Sequence, residues 1–303
     1  MKRLVVALAL VACRTHEPPQ IAFLLSTPHA KELASFEDRA HELGVSTVAL
    51  AAANNAATQR AQVEDALGRG AKVLVIQPTD GAAAAPYVRL AHEHRVPVVA
   101  YDRAIESPEL DYYVSHDSYR VGVLQAQAAL EATNHKGRYV ILAEPGEITR
   151  GYRDTLAPYV ARGDVVVTDT LGDKMDAILA SNPRLARRAV KAVADAGIPH
   201  VFIAGAGADA ANVNLVCQGK QAIDVLEDVA PLAKTAADVA KQLLDGAPPK
   251  APATIALAGK PVPVAAVRVE VVTADNVKPL LVDTGFLAAS EIPACAKKLA
   301  QAR

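Results

Sequence analysis

The chain has no tryptophan, and aromatic residues make up only 4% of it. With so few large rings, its cores must be built from aliphatic side chains and from helices that approach closely. It has three cysteines, no C-x-x-C and no H-x-x-x-H, so no metal-ligand spacing is present and no metal site is expected. "HEH" (92–94) falls on an exposed helix end, where solvated side chains are the plainer reading. Acidic and basic residues nearly cancel, for a net charge of −1, and without a basic excess nothing favours a nucleic-acid partner. There is no G-x-S-x-G elbow, no Walker A loop and no catalytic Cys–His arrangement. No catalytic residue and no cofactor are therefore assigned. With 51% hydrophobic and 21% charged residues the composition is that of a globular protein, and 303 residues suffice for two domains.

The amino-terminal residues differ from the rest. Lys2 and Arg3 precede the unbroken apolar run "LVVALALVA", which ends at Cys13. That run is too short to span a bilayer and suits the hydrophobic part of an export signal. Leu10-Val11-Ala12-Cys13 resembles the bacterial lipobox, in which the cysteine is lipidated. "RTHEPPQ" (14–20) then serves as a tether. The alternative is a buried first strand. Lipidation of Cys13 leaves Cys217 and Cys295, and export would permit a disulfide between them.

From residue 21 short aliphatic strands alternate with amphipathic helices. Strands are expected at 21–26, 45–52, 71–78 and 96–101, with helices at 31–43, 57–70 and 82–94. A second series follows "LDYYVSHD" (110–117). It has helices at 118–133, 150–162, 183–196, 209–218 and 231–246, and strands at 138–144, 165–170, 176–182, 200–205, 221–228 and 262–273. Ser118 is the expected cap of the first of these helices. The pattern implies an α/β protein of two lobes with parallel sheets, whose ligands belong at the carboxyl ends of strands. Strands 165–170 and 176–182 break the rhythm, because "LGDKM" (171–175) is too short for a helical crossover. Either they pair antiparallel or one of them is not a core strand.

Three stretches bear polar groups at such strand ends. "VPVVAYDRA" (96–104) runs from a core strand straight into Asp102 and Arg103. Guanidinium forks to vicinal hydroxyls and carboxylate acceptors together suit a sugar, though a structural ion pair is the competing reading. "AGAGADAAN" (204–212) places Gly205 and Gly207 before a helix and could admit a phosphate, but the third glycine of the dinucleotide fingerprint is absent. Asp209 there is a helix cap or a ligand contact, and so is Asn182 in "ASN" (180–182), which precedes Pro183.

The segment "GAKVLVIQPTDGAAAAPYVRLAHEHRVPVVAYDRAIESPELDYYVSHDSYRVGVLQAQ" (70–127), with "APYV", "ASN", "IAGAGAD" and "DTGFLAASEIPAC" (283–295), resembles the periplasmic sugar-binding proteins of ABC importers, most of all their xylose-binding branch. The resemblance covers most of the chain after residue 40. It implies the type I periplasmic-binding-protein fold, two Rossmann-like lobes joined by a three-strand hinge, with no catalytic activity. The expected divisions are 1–19 as signal and tether, 20–115 plus 228–262 as the N-terminal lobe, and 116–227 plus 263–303 as the C-terminal lobe. The second lobe is expected to be shortened near 171–175, where relatives carry a helix and a tryptophan. The resemblance gives Asp102 and Arg103 the role of sugar ligands and extends it to Asn182 and Asp209. Other positions depart from the family pattern: Pro183 and Gly207 stand where it has aspartates, and Glu227 where it has a lysine.

The expected function is the solute-binding component of an ABC-type importer for a xylose-like or other small sugar. Such a protein would be exported, lipid-anchored at Cys13 and monomeric, with a membrane permease as partner and no other membrane contact. The departures in the second lobe favour an alternative, a divergent sensor or remnant that has lost sugar binding. A nucleotide-dependent enzyme using Gly205 and Gly207 is a third reading. A sugar-responsive repressor would share the lobes, but no DNA-binding headpiece precedes residue 21.

Overall fold

The computed structural model describes residues 19–247, 249 and 253–301; Cys13 and the expected export signal lie outside the described residues. The first series is β1 (Ile21–Leu25), α1 (Ala30–Glu42), β2 (Thr47–Ala51), α2 (Ala56–Gly68), β3 (Val73–Ile76), α3 (Ala85–Glu93), β4 (Val98–Tyr101) and β5 (Tyr112–His116). The second is α4 (Ser118–Ala132), β6 (Gly137–Leu142), α5 (Glu147–Ala161), β7 (Val165–Thr168), β8 (Ala177–Ala180), α6 (Pro183–Ala196), β9 (Phe202–Ala206), α7 (Ala210–Cys217) and β10 (Ile223–Leu226). Next come α8 (Val229–Leu244), β11 (Ala253–Leu257), β12 (Lys260–Val267) and β13 (Glu270–Val272).

One sheet has the order β11-β12-β5-β4-β3-β1-β2, the other β13-β10-β9-β8-β6-β7. Strands β1, β3 and β4 are buried along their whole length, as strands covered on both faces must be, and so are β8 and β10. The chain divides into two compact units. The first holds the described residues up to Tyr112, a segment starting at Ala236, and Ala256–Val262. The second holds Tyr113–Thr235, the described residues up to Ile255, and those from Pro263 onward.

The link between β7 and β8 excludes the antiparallel alternative and fits the other, since β7 is an edge strand largely outside the core. The two strands are not neighbours: each pairs parallel with β6, which lies between them. Returning along a four-residue strand takes roughly 13 Å and crossing two strand spacings roughly 10 Å. The eight residues 169–176 reach about 26–29 Å when extended, so a crossover without a helix is feasible. Met175 anchors it by entering the core around Ile178 and Ala186. Strand β7 is left at the sheet edge with Val166 and Val167 exposed.

Two further expectations are corrected. The stretch 262–273 is two strands, β12 pairing with β5 in one sheet and β13 antiparallel with β10 in the other. The cap of α4 is Asp117, whose carboxylate accepts from the Arg120 N–H; Ser118 is the first helical residue. The scarcity of aromatic rings finds its counterpart where α4 meets α5. A Cβ on Gly122 would collide with the Ile148 carbonyl, and one on Gly151 with the Tyr119 carbonyl, so only glycine lets these backbones touch.

Candidate functional site

In the first unit, β1, β3 and β4 end side by side because Leu24 is in register with Ile76, and Ile76 with Ala100. The first polar residues beyond these ends therefore converge. Ser26 Oγ donates to Gln77 Oε1 at 2.7 Å, the Ser26 N–H donates to the same oxygen at 3.2 Å, and Gln77 Nε2 donates to Asp102 Oδ2 at 3.0 Å. Gln59 of α2, fully buried, donates to the Gln77 carbonyl and accepts from the Thr79 N–H, which fixes the backbone beneath. Asp102 is half-buried with φ +62°, a left-handed conformation unusual for a non-glycine residue. Arg103 is exposed, its Nη1 3.5 Å from the Pro78 carbonyl.

Behind this pair lies a carboxylate that the sequence reading did not single out. Glu32 in the first turn of α1 is buried and accepts a 2.7 Å hydrogen bond from the Tyr101 hydroxyl. Tyr101 in turn packs edge-on against Phe23. Burial raises the Glu32 carboxyl to about 7, a rise opposed by the Tyr101 hydrogen bond; the Asp102 charge adds to it and the Arg103 charge subtracts. Burial, reinforced by Glu32, also pushes the Tyr101 phenol far upward.

In the second unit Asn182 and Asp209 sit at two helix starts. Asn182 Oδ1 accepts from the Leu185 N–H and caps α6; Asp209 Oδ1 accepts from the Asn212 N–H and caps α7. Arg187 ties the two helices together, donating to Asp209 Oδ2 and to Asn212 Oδ1, both at 2.6 Å. Asn212 also reaches the Pro183 carbonyl.

Asp224, a lone charge within β10, is fully buried below this edge. Its Oδ1 accepts from the Ala208 and Val225 N–H groups, its Oδ2 from Gln221 at 2.7 Å and Asn212 at 3.4 Å. Burial lifts its carboxyl to about 6 in spite of these four donors. The network removes the phosphate-cradle reading of the glycine turn. The Gly207 N–H already donates to the Val225 carbonyl, and the Ala208 N–H to Asp224. Gly207 is needed for its φ of +99°, and a Cβ there would press on Pro183 at 2.8 Å.

Cys217 at the end of α7 is disulfide-bonded to Cys295, with Cα atoms 5.1 Å apart. Among the described residues no group of three or more His, Cys, Asp or Glu could hold a metal ion, and no helix is long and apolar enough to cross a membrane. Asp102 and Arg103 are thus joined with Ser26, Gln77 and Glu32, while Asn182 and Asp209 share a separate network through Arg187. Ser26 and Gln77 could have been found as the first polar residues after buried strands, and Asp224 as a charge inside one.

Residues 30–248 match the model of the periplasmic binding protein domain. The D-xylose-binding periplasmic protein of Escherichia coli (strain K12) is 31% identical over 284 residues, 85% of this chain and 86% of that protein. A multiple sugar-binding periplasmic receptor of Rhizobium radiobacter is 26% identical over 63% of this chain and 67% of its own length. Among solved structures, a carbohydrate transporter solute binding protein from Chloroflexus aurantiacus in complex with D-glucose superposes with a TM-score of 0.77 at 28% identity, covering 90% of this chain and 98% of that one. These relatives are proteins that bind sugars, and they fit a chain whose strand ends carry hydrogen-bonding groups. The chain belongs to the periplasmic binding protein family and is a binding protein, not an enzyme.

Proposed function

We propose that the chain is the exported, sugar-binding component of an ABC-type importer, with a xylose-like or other small sugar as its solute. Asp102 held by Gln77 beside an exposed Arg103 is the observation that carries this reading. Asp102 accepts from sugar hydroxyls, while Arg103 donates to two neighbouring oxygens with its planar fork. Asn182 contributes its Nδ2 donor, since Oδ1 alone serves the cap, and Asp209 contributes through lone pairs beyond those used by Asn212 and Arg187. The solute is retained by hinge closure of the two units, as is usual for this class of transition. Lipid anchoring at Cys13, a monomeric state and delivery to a membrane permease complete the proposal.

A second reading, a binding-fold sensor that has lost the sugar, draws support from the second unit, where Asn182 and Asp209 cap helices and Asp224 is turned inward. Calorimetry of the purified protein against pentoses and hexoses separates the two. We expect one sugar to bind and Arg103→Ala to weaken it by about a hundredfold or more, the scale of a lost charged fork. A folded protein that responds to no sugar overturns the importer reading in favour of the sensor.

A further inference from the structure

We propose that Gln77 is a positioning residue for solute binding: clamped by Ser26, its side-chain amide sets the orientation of the Asp102 carboxylate and keeps that group a hydrogen-bond acceptor. The proposal rests on the reading that Asp102 contacts the sugar.

The chemistry of the partners fixes which way the amide points. The Ser26 N–H can only donate, so the atom facing it must be Oε1; a carboxylate can only accept, so the atom facing Asp102 must be Nε2. Ser26 Oγ, a hydroxyl that can donate or accept, donates to that Oε1 at 2.7 Å. Neither Ser26 nor Gln77 has appreciable exposed surface, so water does not compete for these bonds. Gln59 holds the Gln77 backbone on its other side. Asp102 itself has a left-handed backbone, a conformation uncommon outside glycine though tolerated by aspartate. The relay Ser26–Gln77–Asp102 therefore spans three strand ends and terminates on one oxygen of the proposed sugar ligand. Its consequence for specificity is that the solute must present a donor, a hydroxyl or an amine N–H, to Asp102; an analogue deoxygenated at that carbon is refused.

Two variants test this by calorimetry from pH 5 to pH 8, each affinity taken relative to wild type at the same pH. Gln77→Leu removes the donor and should lower sugar affinity about tenfold or more at every pH, as expected for one lost hydrogen bond to a charged group. Gln77→Glu is nearly isosteric but sets two carboxylates against each other. Its affinity should fall comparably at pH 8 and recover toward pH 5, where a proton shared by the pair restores the donor. Glu32, Tyr101 and Arg103 are titratable or charged groups that act on one another beside Asp102, and they are common to the variants and wild type. Wild-type affinity in both variants, or a Gln77→Glu loss that ignores pH, overturns the proposal. Should wild type bind no sugar, the function proposed above fails, while the relay is still read by NMR. The Gln77 side-chain amide protons should exchange slowly in wild type and rapidly in Asp102→Ala; unchanged exchange overturns the relay.

Discussion

Glu32 in the first unit and Asp224 in the second are both carboxylates with almost no exposed surface, and burial raises both above their ordinary range. They differ in what holds them. Asp224 has four donors, two backbone N–H groups and two side-chain amides, and it shapes the turn between β9 and α7. Glu32 has the Tyr101 hydroxyl and lies within the field of Asp102 and Arg103. The first is built into the fold, and the second is a loosely bound neighbour of the proposed ligand pair. Burial alone does not tell these roles apart; the number and origin of the donors does.

The largest loss is expected at Asp224. Asp224→Ala strands four buried donors, so we expect a loss of roughly 4 kcal/mol or more in denaturant unfolding, against about 1–3 kcal/mol for Glu32→Ala. Equal losses would show that donor count does not distinguish them.

The next largest effect is on pH dependence. A carboxyl whose folded-state value is raised binds its proton more tightly when folded, so its contribution is greatest below the unfolded value and is lost as pH rises toward the folded one. For Glu32 that window runs from 4.5 to about 7, and for Asp224 from 3.8 to about 6. Glu32→Gln should therefore abolish part of the decline in thermal midpoint between pH 5 and pH 8, and at pH 8 should exceed wild type by up to roughly 3 kcal/mol. A variant no more stable than wild type at pH 8 would mean that Glu32 is not held in its neutral form.

The smallest effect separates capping from solute contact. Asn182→Ala should cost about 1 kcal/mol of stability through the lost cap. Asn182→Asp keeps the cap acceptor but removes the Nδ2 donor, so a drop in sugar affinity at unchanged stability would assign the solute contact to Asn182. Unchanged affinity would leave it a cap alone.

Much of the fold was legible because strand burial and helix amphipathicity are local properties: "VLVI" and "VVAY" declare themselves as doubly covered strands. Asp102 and Arg103 were legible for the same reason, being charges set directly against such a strand. The partners of Asp102 were not, since Ser26 and Gln77 lie 51 residues apart and meet only through the register of β1, β3 and β4. The antiparallel alternative for the β7–β8 link arose because the usual crossover length presumes a helix, whereas four-residue strands can be bypassed by extended chain. The stretch 262–273 reads as one strand because alternation cannot register a change of sheet between Val267 and Glu270.

The bond between Cys217 and Cys295 has a consequence for how the protein is made. It joins two points 78 residues apart in sequence, and the intervening chain includes a segment of the first unit. The second unit thus cannot be completed until residue 295 has been synthesised and has reached a compartment where thiols oxidise. A chain kept in a reducing cytosol would carry its carboxyl-terminal segment packed but unsealed. Order of synthesis and closure of that seam are in this way coupled into one sequence of events.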